Sequence, residues 1–451
     1  MFSSFCKNEI VLYKKIAISL AILLLLFSGQ SQFLAQTKTV AVQKFALSKT
    51  DDEFLEDLEK RSFRYFWEQT DANTGITLDR ARSDGERYEA GAHHYNVGSI
   101  AATGFALTSY CVAADRNWIT RQEARTRTLR TLRFFATRAF EKNGWFYHWM
   151  DIETGERRWN SEVSSMDTAL LLGGVLSVRG CFADDREIVR LATKIYNRVD
   201  FQWMLNSDEY LLSHGWRPET GFLQSRWDSY SEDSILYILG VGSRAHPISW
   251  RSWYAWKRDW MEYDGYKYLA AVSPLFIHQY SQAWIDFRGR RERYKNFDVN
   301  YFENSVTASR AQRDFCKSLS KVFPASYNGA MWGISASDSE KGYIAWGAPP
   351  PEPALDGTIV PYAPAGSLMF APDISLPALK EMKEKYGAKI YGRYGFTDAF
   401  NPNDGWIDSD VIGIDLGITI LGVENLRTGN VWRWFMRNAE IKNSLNRAMI
   451  R

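Results

Sequence analysis

Two stretches of this chain are apolar on every side for the length of a helix. Val97 to Ala114 and Met166 to Val178 carry small and branched residues throughout. A helix of that kind has no face to offer water, so other elements must enclose it. The segments around them are of the opposite kind. Asp51 to Gln69 puts Phe54, Leu55, Leu58, Phe63, Phe66 and Trp67 on one broad face. Arg121 to Phe140 follows Thr120, a good N-cap, and Glu123 completes a capping box. In that helix Leu129, Leu132, Phe135 and Phe140 are expected inside, beneath an arginine-rich exterior. Asp185 to Asn206 is amphipathic again.

Further helices are expected at Glu232–Val241, Pro247–Trp260, Pro274–Ile285, Tyr301–Lys321, Ser375–Tyr386, Val411–Val423 and Asn430–Asn443. Strand patterns are scarce and short. An amphipathic helix, a loop rich in rings and acids, and a buried helix recur in the first half. Roughly a dozen helices in alternating outer and inner roles predict an all-α fold, an α/α toroid. Loops at one end of its inner ring would build a cleft. There is no repeat at a fixed period, so the expectation rests on element pattern.

Residues 1–35 read as a signal peptide. Lys7, Lys14 and Lys15 form a basic n-region, Ile16 to Phe27 an apolar core, and Ser28, Gly29, Ser31 and Ala35 offer cleavage sites. The run is short for a spanning helix. Residues 36–50 read as a flexible lead-in, and 51–451 as a single large domain. Gly347 to Pro353 is the densest breaker region and reads as a long ordered loop. Export to a periplasm is expected, with secretion to the medium as the alternative. Cys111, Cys181 and Cys316, left after signal removal, make no disulfide framework. A formal charge of +2 gives no electrostatic case for nucleic acid or an anionic membrane. A soluble monomer without a membrane partner is expected.

Chemistry gathers around Arg226 to Gly240. Trp227 and Tyr230 stand beside Glu232 and Asp233, just before the apolar run Ile235 to Leu239. Rings that stack on sugars beside an acid at a helix start suit carbohydrate cleavage. Ser229 to Glu232 also fits a capping box, in which these side chains only satisfy backbone N–H groups. Ser164 to Asp167 carries the same ambiguity. Gly144 to Asp151 supplies Trp145, His148 and Trp149 and leads to Glu162 and Asp167. His278, Gln279, Tyr280 and Arg288 crowd one expected helix end, and Trp406 lies near Asp408 and Asp410. Asp415 is an isolated acid inside an apolar run, which needs a partner or a function. Metal-site spacings, nucleophile elbows and phosphate-binding glycine loops are missing from the sequence, so no cofactor and no metal is expected. Carboxylates set among rings remain, the equipment of glycoside hydrolysis; a lyase is the less favoured use.

Several stretches resemble the bacterial glucoamylase-like family, whose characterised branch is the endo-β-1,2-glucanases of glycoside hydrolase family 144. They include Phe63 to Glu68, Ser99 to Leu107, Ser161 to Leu170, Arg226 to Glu232, Pro274 to Ser281, Glu303 to Gln312, Gly395 to Asn401, Gly413 to Gly417 and Glu424 to Gly429. The resemblance implies an (α/α)6 barrel over 51–451, a periplasmic location, no metal, and inverting hydrolysis of β-1,2-glucan. It places Glu232 at the general acid. It matches Glu162, Asp167 and Asp415 to acids lining the cleft, with Asp415 chosen as base and Asp408 and Asp410 as rivals. Trp145, Trp149, Trp227, Tyr230, Tyr280 and Trp406 are expected as sugar platforms, and His148, His278, Gln279 and Arg288 as hydroxyl partners. An exo-acting enzyme, an oligosaccharide phosphorylase and a non-catalytic carbohydrate-binding protein on this scaffold are the alternatives.

Overall fold

The computed structural model describes residues 45–451 apart from 271, 273 and 352. The signal peptide and residues 36–44 of the lead-in lie outside the described residues. Helix α1 (Lys49–Glu68) begins where the Ser48 hydroxyl accepts from the Asp51 amide, so residues 48–50 belong to that helix and its cap. No helix among the described residues is long and apolar enough to cross a membrane.

The chain is mostly helical, with strands of two to four residues. The apolar stretches form α2 (Ile100–Asp115) and α4 (Ser165–Cys181), buried along almost their whole length. Between them α3 (Arg121–Thr137) carries the Thr120–Glu123 capping box. It stops at Thr137, which leaves Phe140 beyond its end and 52% exposed rather than inside. Helix α5 (Arg186–Arg198) also stops short, because Asp200 caps a separate turn, Phe201–Met204.

The remaining helices are α6 (Ser234–Gly242), α7 (Tyr280–Trp284), α8 (Tyr301–Ser318), α9 (Tyr362–Gly366), α10 (Pro372–Tyr386), α11 (Gly413–Arg427), α12 (Asn430–Met436) and α13 (Ala439–Arg447). Pro274–Ile285 divides into a tight 3-10 turn, Leu275–His278, and α7. Pro247–Trp260 is not the expected helix: it holds a 3-10 turn, Trp250–Tyr254, and Trp260 opens a hairpin with Tyr266–Leu269. Tertiary contacts decide this segment. The Arg258 guanidinium sits 3.7 Å from the Trp256 ring and bonds the fully buried Glu292 carboxylate at 3.0 Å.

The packing separates two sets of helices. Helix α2 packs on α4, α4 on α6, α6 on α7, α7 on α11, and α11 on both α9 and α2. Outside these, α1 lies on α11 and α2, α3 on α2 and α5, α5 on α4, α10 on α9, α12 on α4, and α13 on α6. The inner contacts are backbone-close. A Cβ on Gly104 would lie 2.3 Å from the Leu170 carbonyl, and one on Gly174 would lie 2.1 Å from the Gly104 carbonyl. Short strands lead into both helices, Val97–Ser99 into α2 and Val163–Ser164 into α4, and Ser99 and Ser164 cap them. The close crossing therefore fixes two helix starts beside each other. Replacing Gly104 or Gly174 by Ala is expected to destabilise the fold by about 1–3 kcal/mol through overpacking. Chemical denaturation checks this; unchanged midpoints would mean that the crossing gives way easily.

Candidate active site

A cleft of about 670 Å³ opens where the inner helices begin. Its lining includes Ser99 at the cap of α2, Ser164 and Asp167 at the start of α4, Glu232 just before α6, Tyr280 at the start of α7, and Ile412 and Ile414 at the start of α11. Helix N-termini present unpaired N–H groups and a positive dipole end. Side chains placed here escape the apolar bundle while remaining on rigid supports.

Glu232 is half-buried and lines the cleft. The expected capping box around it does not form. Asp233 holds the N-cap position of α6, and the Ser229 hydroxyl donates to Asp228 instead. The Ser231 hydroxyl donates to the Glu232 carboxylate, and the Ser281 hydroxyl to the Glu232 carbonyl. Burial raises the Glu232 carboxyl above its ordinary value, and the nearby Asp167 charge adds to the rise. Asp233, fully buried beneath it, accepts from the Ser231 amide at 3.2 Å.

The same cleft holds a carboxylate–imidazole–carboxylate set. His148 Nδ1 lies 3.1 Å from Glu162, and its Nε2 3.3 Å from Asp167. Burial alone would lower the His148 imidazolium, but Asp167 and Glu162 together raise it. Burial works against the Glu162 charge, yet the His148 and Arg217 bonds outweigh it and pull this carboxyl down to about 2. Asp167 is raised by burial, against the stabilising pull of His148 and the Ser164 hydroxyl. Ser164 both accepts from the Asp167 amide at 3.2 Å and donates to its carboxylate at 2.5 Å. Capping and site-building therefore coincide here.

Three tryptophans line the same cleft, each stacked on a histidine: Trp149 on His148 at 3.5 Å, Trp227 on His214 at 3.9 Å, and Trp159 on His93 at 4.6 Å between ring centres. The Trp227 indole donates to Ser165 at 2.9 Å. Of the residues singled out in the sequence, Glu232, Glu162, Asp167, His148, Trp149, Trp227 and Tyr280 line the cleft. Asp415 stands behind it. The Tyr280 hydroxyl donates to Asp415 at 3.1 Å, and Asp415 faces a small cavity shared with Asp398 and Tyr362. Burial pushes the Asp415 carboxyl up to about 7, and hydrogen bonds from Asp398 and Tyr280 restrain the rise.

Six expected sugar contacts lie elsewhere. Trp145 is fully buried and donates to the Asp200 carbonyl. Tyr230 is buried against His278, 3.1 Å from its Nδ1, and burial drives the His278 imidazole down to about 3. Gln279 is buried and donates to the Ala363 carbonyl and the Ser367 hydroxyl, both at 2.8 Å. Arg288 pairs with Asp286 and covers the Trp432 ring at 4.0 Å. Trp406 sits in a two-residue strand against Phe400–Asn401, outside the cleft lining. Trp145, Tyr230, His278 and Arg288 thus turn their polar tips to protein groups, and none of the six lines the cleft.

No local pattern marks Asp79, Arg80, His214, Arg217 or Tyr343, all of which line the cleft. Their chain separation hid them. Trp159 had a usable signal: it stands in Arg157-Arg158-Trp159-Asn160, next to the acid-bearing segment.

Among the described residues, Asp338, Asp408 and Asp410 each bring a carboxylate oxygen within 4.8 Å of the others, a set that could hold a divalent cation. Arg80 binds Asp338 at 2.5 Å, Arg82 lies 3.5 Å from Asp410, and Tyr88 donates to Asp410. Burial and the neighbouring Asp398 and Asp338 charges push Asp408 up to about 9. Protons and guanidinium groups thus already neutralise most of the cluster.

His148 supplies a test of the site's electrostatics. Its folded value is raised, so the His148 pairing stabilises the protein fully below the ordinary histidine value and is lost as pH rises through the folded one. An NMR titration is expected to place its midpoint above 6.5, the ordinary value, and Glu162→Gln to move it down. An unmoved midpoint would break the coupling.

Residues 224–439 match the family described as "Putative glucoamylase". An endo-β-1,2-glucanase structure from Chitinophaga pinensis, in complex with sophorotriose and glucose, is 27% identical with a TM-score of 0.82, covering 90% of this chain and 99% of that one. A glucoamylase-class structure from Bacteroides fragilis is 28% identical with a TM-score of 0.80, covering 91% of this chain and 99% of that one. An exo β-1,2-glucooligosaccharide sophorohydrolase from Parabacteroides distasonis is 24% identical over 91% of this chain, which spans 59% of that relative's length. Residues 224–439 are thus similar in sequence to that family, and the likeness in fold to these structures extends over about nine-tenths of the chain.

Proposed function

We propose that this protein is an inverting glycoside hydrolase acting within β-1,2-glucan chains, built on an (α/α)6 toroid. Helices α2, α4, α6, α7 and α11 each pack on the next, α11 packs back on α2, and α9 joins as a sixth through α11, which supports a closed ring. The observation that carries the function is one cleft lined by a half-buried Glu232 with a raised carboxyl, by Glu162 and Asp167, and by three stacked tryptophans. The Chitinophaga pinensis β-1,2-glucanase shares this scaffold with a TM-score of 0.82. The Chitinophaga pinensis endo-enzyme is matched over 99% of its length, which supports internal cleavage over the exo alternative. The basic and apolar N-terminal segment supports export to a periplasm.

Glu232 donates its proton to the departing glycosidic oxygen. Burial keeps that proton in place at a pH where an exposed glutamate has lost it. Asp167 takes the proton of the attacking water. It lines the cleft, its charge acts on Glu232, and His148 and Ser164 fix its orientation. Asp415 supports a second assignment of the base. Tyr280 lines the cleft and donates to Asp415, so water could lose its proton to Tyr280 as Tyr280 passes its own inward.

Wild type is expected to release reducing ends from linear β-1,2-glucan in preference to β-1,3-, β-1,4- and α-1,4-glucans. Glu232→Gln should lower kcat/KM roughly 10²–10⁴-fold. Binding without release by wild type and variant alike would make the protein a carbohydrate-binding module, and dependence on inorganic phosphate would make it a phosphorylase. The alkaline limb of kcat/KM is expected above 4.5, the ordinary glutamate value, because Glu232 is raised. The base is settled by comparison: Asp167→Asn alone loses activity in the first assignment, whereas Tyr280→Phe and Asp415→Asn fall together in the second.

A further inference from the structure

Trp159 sits in a backbone conformation that suits glycine, not tryptophan. Its φ is +53°, and Asn160 follows at +51°. Asparagine tolerates the left-handed region, but a bulky side chain there is strained, and such strain persists only where the surroundings over-determine it. The surroundings here are two arginines. Arg157 donates to the Ser161 carbonyl, to the Asn160 carbonyl at 2.6 Å and to Glu219 at 2.5 Å, bridging the bend from outside. Arg158 donates to Asp151 at 3.3 Å and to the Tyr95 carbonyl at 3.1 Å, tying the bend to the loop that carries His93.

The strain has a consequence for the ring. Trp159 lines the cleft and is only half-buried. One face stacks on His93 at 11° between planes, and its edges meet His94 and Trp149 in T-shaped contacts at 5.4 and 5.2 Å. An indole held on one face by an imidazole, and on its flanks by two more rings, keeps its remaining surface in a fixed orientation. Trp149 and Trp227 are also fixed by indole N–H bonds, to Asp79 at 3.4 Å and Ser165 at 2.9 Å. Trp159 is oriented by backbone strain and stacking instead.

We propose that Trp159 is a sugar-stacking platform at the margin of the cleft, and that Arg157 is its positioning residue. The inference rests on the glucan-cleaving function above and extends it: the platform engages glucosyl units beyond those flanking the cleaved bond, and so sets the preference for long chains. Flat apolar ring faces take the apolar face of a pyranose, and a ring fixed beforehand loses no freedom on binding.

The test separates platform from mere packing. In the Glu232→Gln background, calorimetry with linear β-1,2-glucan is expected to show binding weakened about tenfold by Trp159→Ala, and largely restored by Trp159→Phe, which keeps a flat ring. A trisaccharide should bind both variants nearly alike. With Glu232 intact, Trp159→Ala and Arg157→Ala should raise KM on the polymer while kcat holds. Trp159→Gly and Trp159→Ala remove the same ring, but only alanine retains a Cβ at positive φ. The glycine variant should therefore melt higher than the alanine variant, with the same affinity loss. Equal polymer affinity for wild type and Trp159→Ala, or a loss of kcat at constant KM, would overturn the platform. Failure of wild type to act on β-1,2-glucan at all would instead overturn the function on which it rests.

Discussion

The structure depends on the contact between the backbones of α2 and α4, where glycine is the only residue that fits. Gly104 and Gly174 each face a carbonyl of the opposite helix at a distance no Cβ could take. Both helices are buried along nearly their whole length, and their charged groups sit at their ends. Bringing the helices together at their glycines brings their starts together. Ser99 and Ser164, the caps of those starts, then share one cleft with Asp167. The polar chemistry is placed by the helix packing, and the packing holds because no side chain intervenes.

Once the acids converge, their protons sort by surroundings. Glu162 has two cationic partners and stays ionised far into acid. Glu232 has a serine hydroxyl and an anionic neighbour, and burial makes it hold its proton more tightly than an exposed glutamate. His148 lies between Glu162 and Asp167 and couples their charges. Asp415, sheltered behind Tyr280, balances near neutrality through hydrogen bonds from Tyr280 and Asp398. Carboxyls pushed apart in this way can serve as acid and base at one pH.

The helical framework was legible because periodicity and caps are local. The Thr120–Glu123 box and the two apolar helices can be read from adjacent residues. Boundaries failed where distant partners decided: Arg258 and Glu292 turn the Pro247–Trp260 segment into a turn and a hairpin. In the site, Glu232, Glu162 and Asp167 were visible as acids beside rings before apolar runs. Trp145 and Tyr230 looked the same in sequence, yet their polar tips meet protein inside the core. Residue type does not distinguish a ring facing sugar from a ring facing the core. Asp79, Arg80 and Tyr343 reach the cleft only through tertiary folding, and no local pattern announces that.

The central claim is that Glu232 and a second carboxylate act on opposite sides of the cleaved bond, with water between them. Proton NMR of the products, recorded before mutarotation, tests it most directly. Cleavage of β-1,2-glucan should first yield the α-anomer at the new reducing end. First appearance of the β-anomer would mean a covalent glycosyl-enzyme, and would contradict the roles given to these carboxylates.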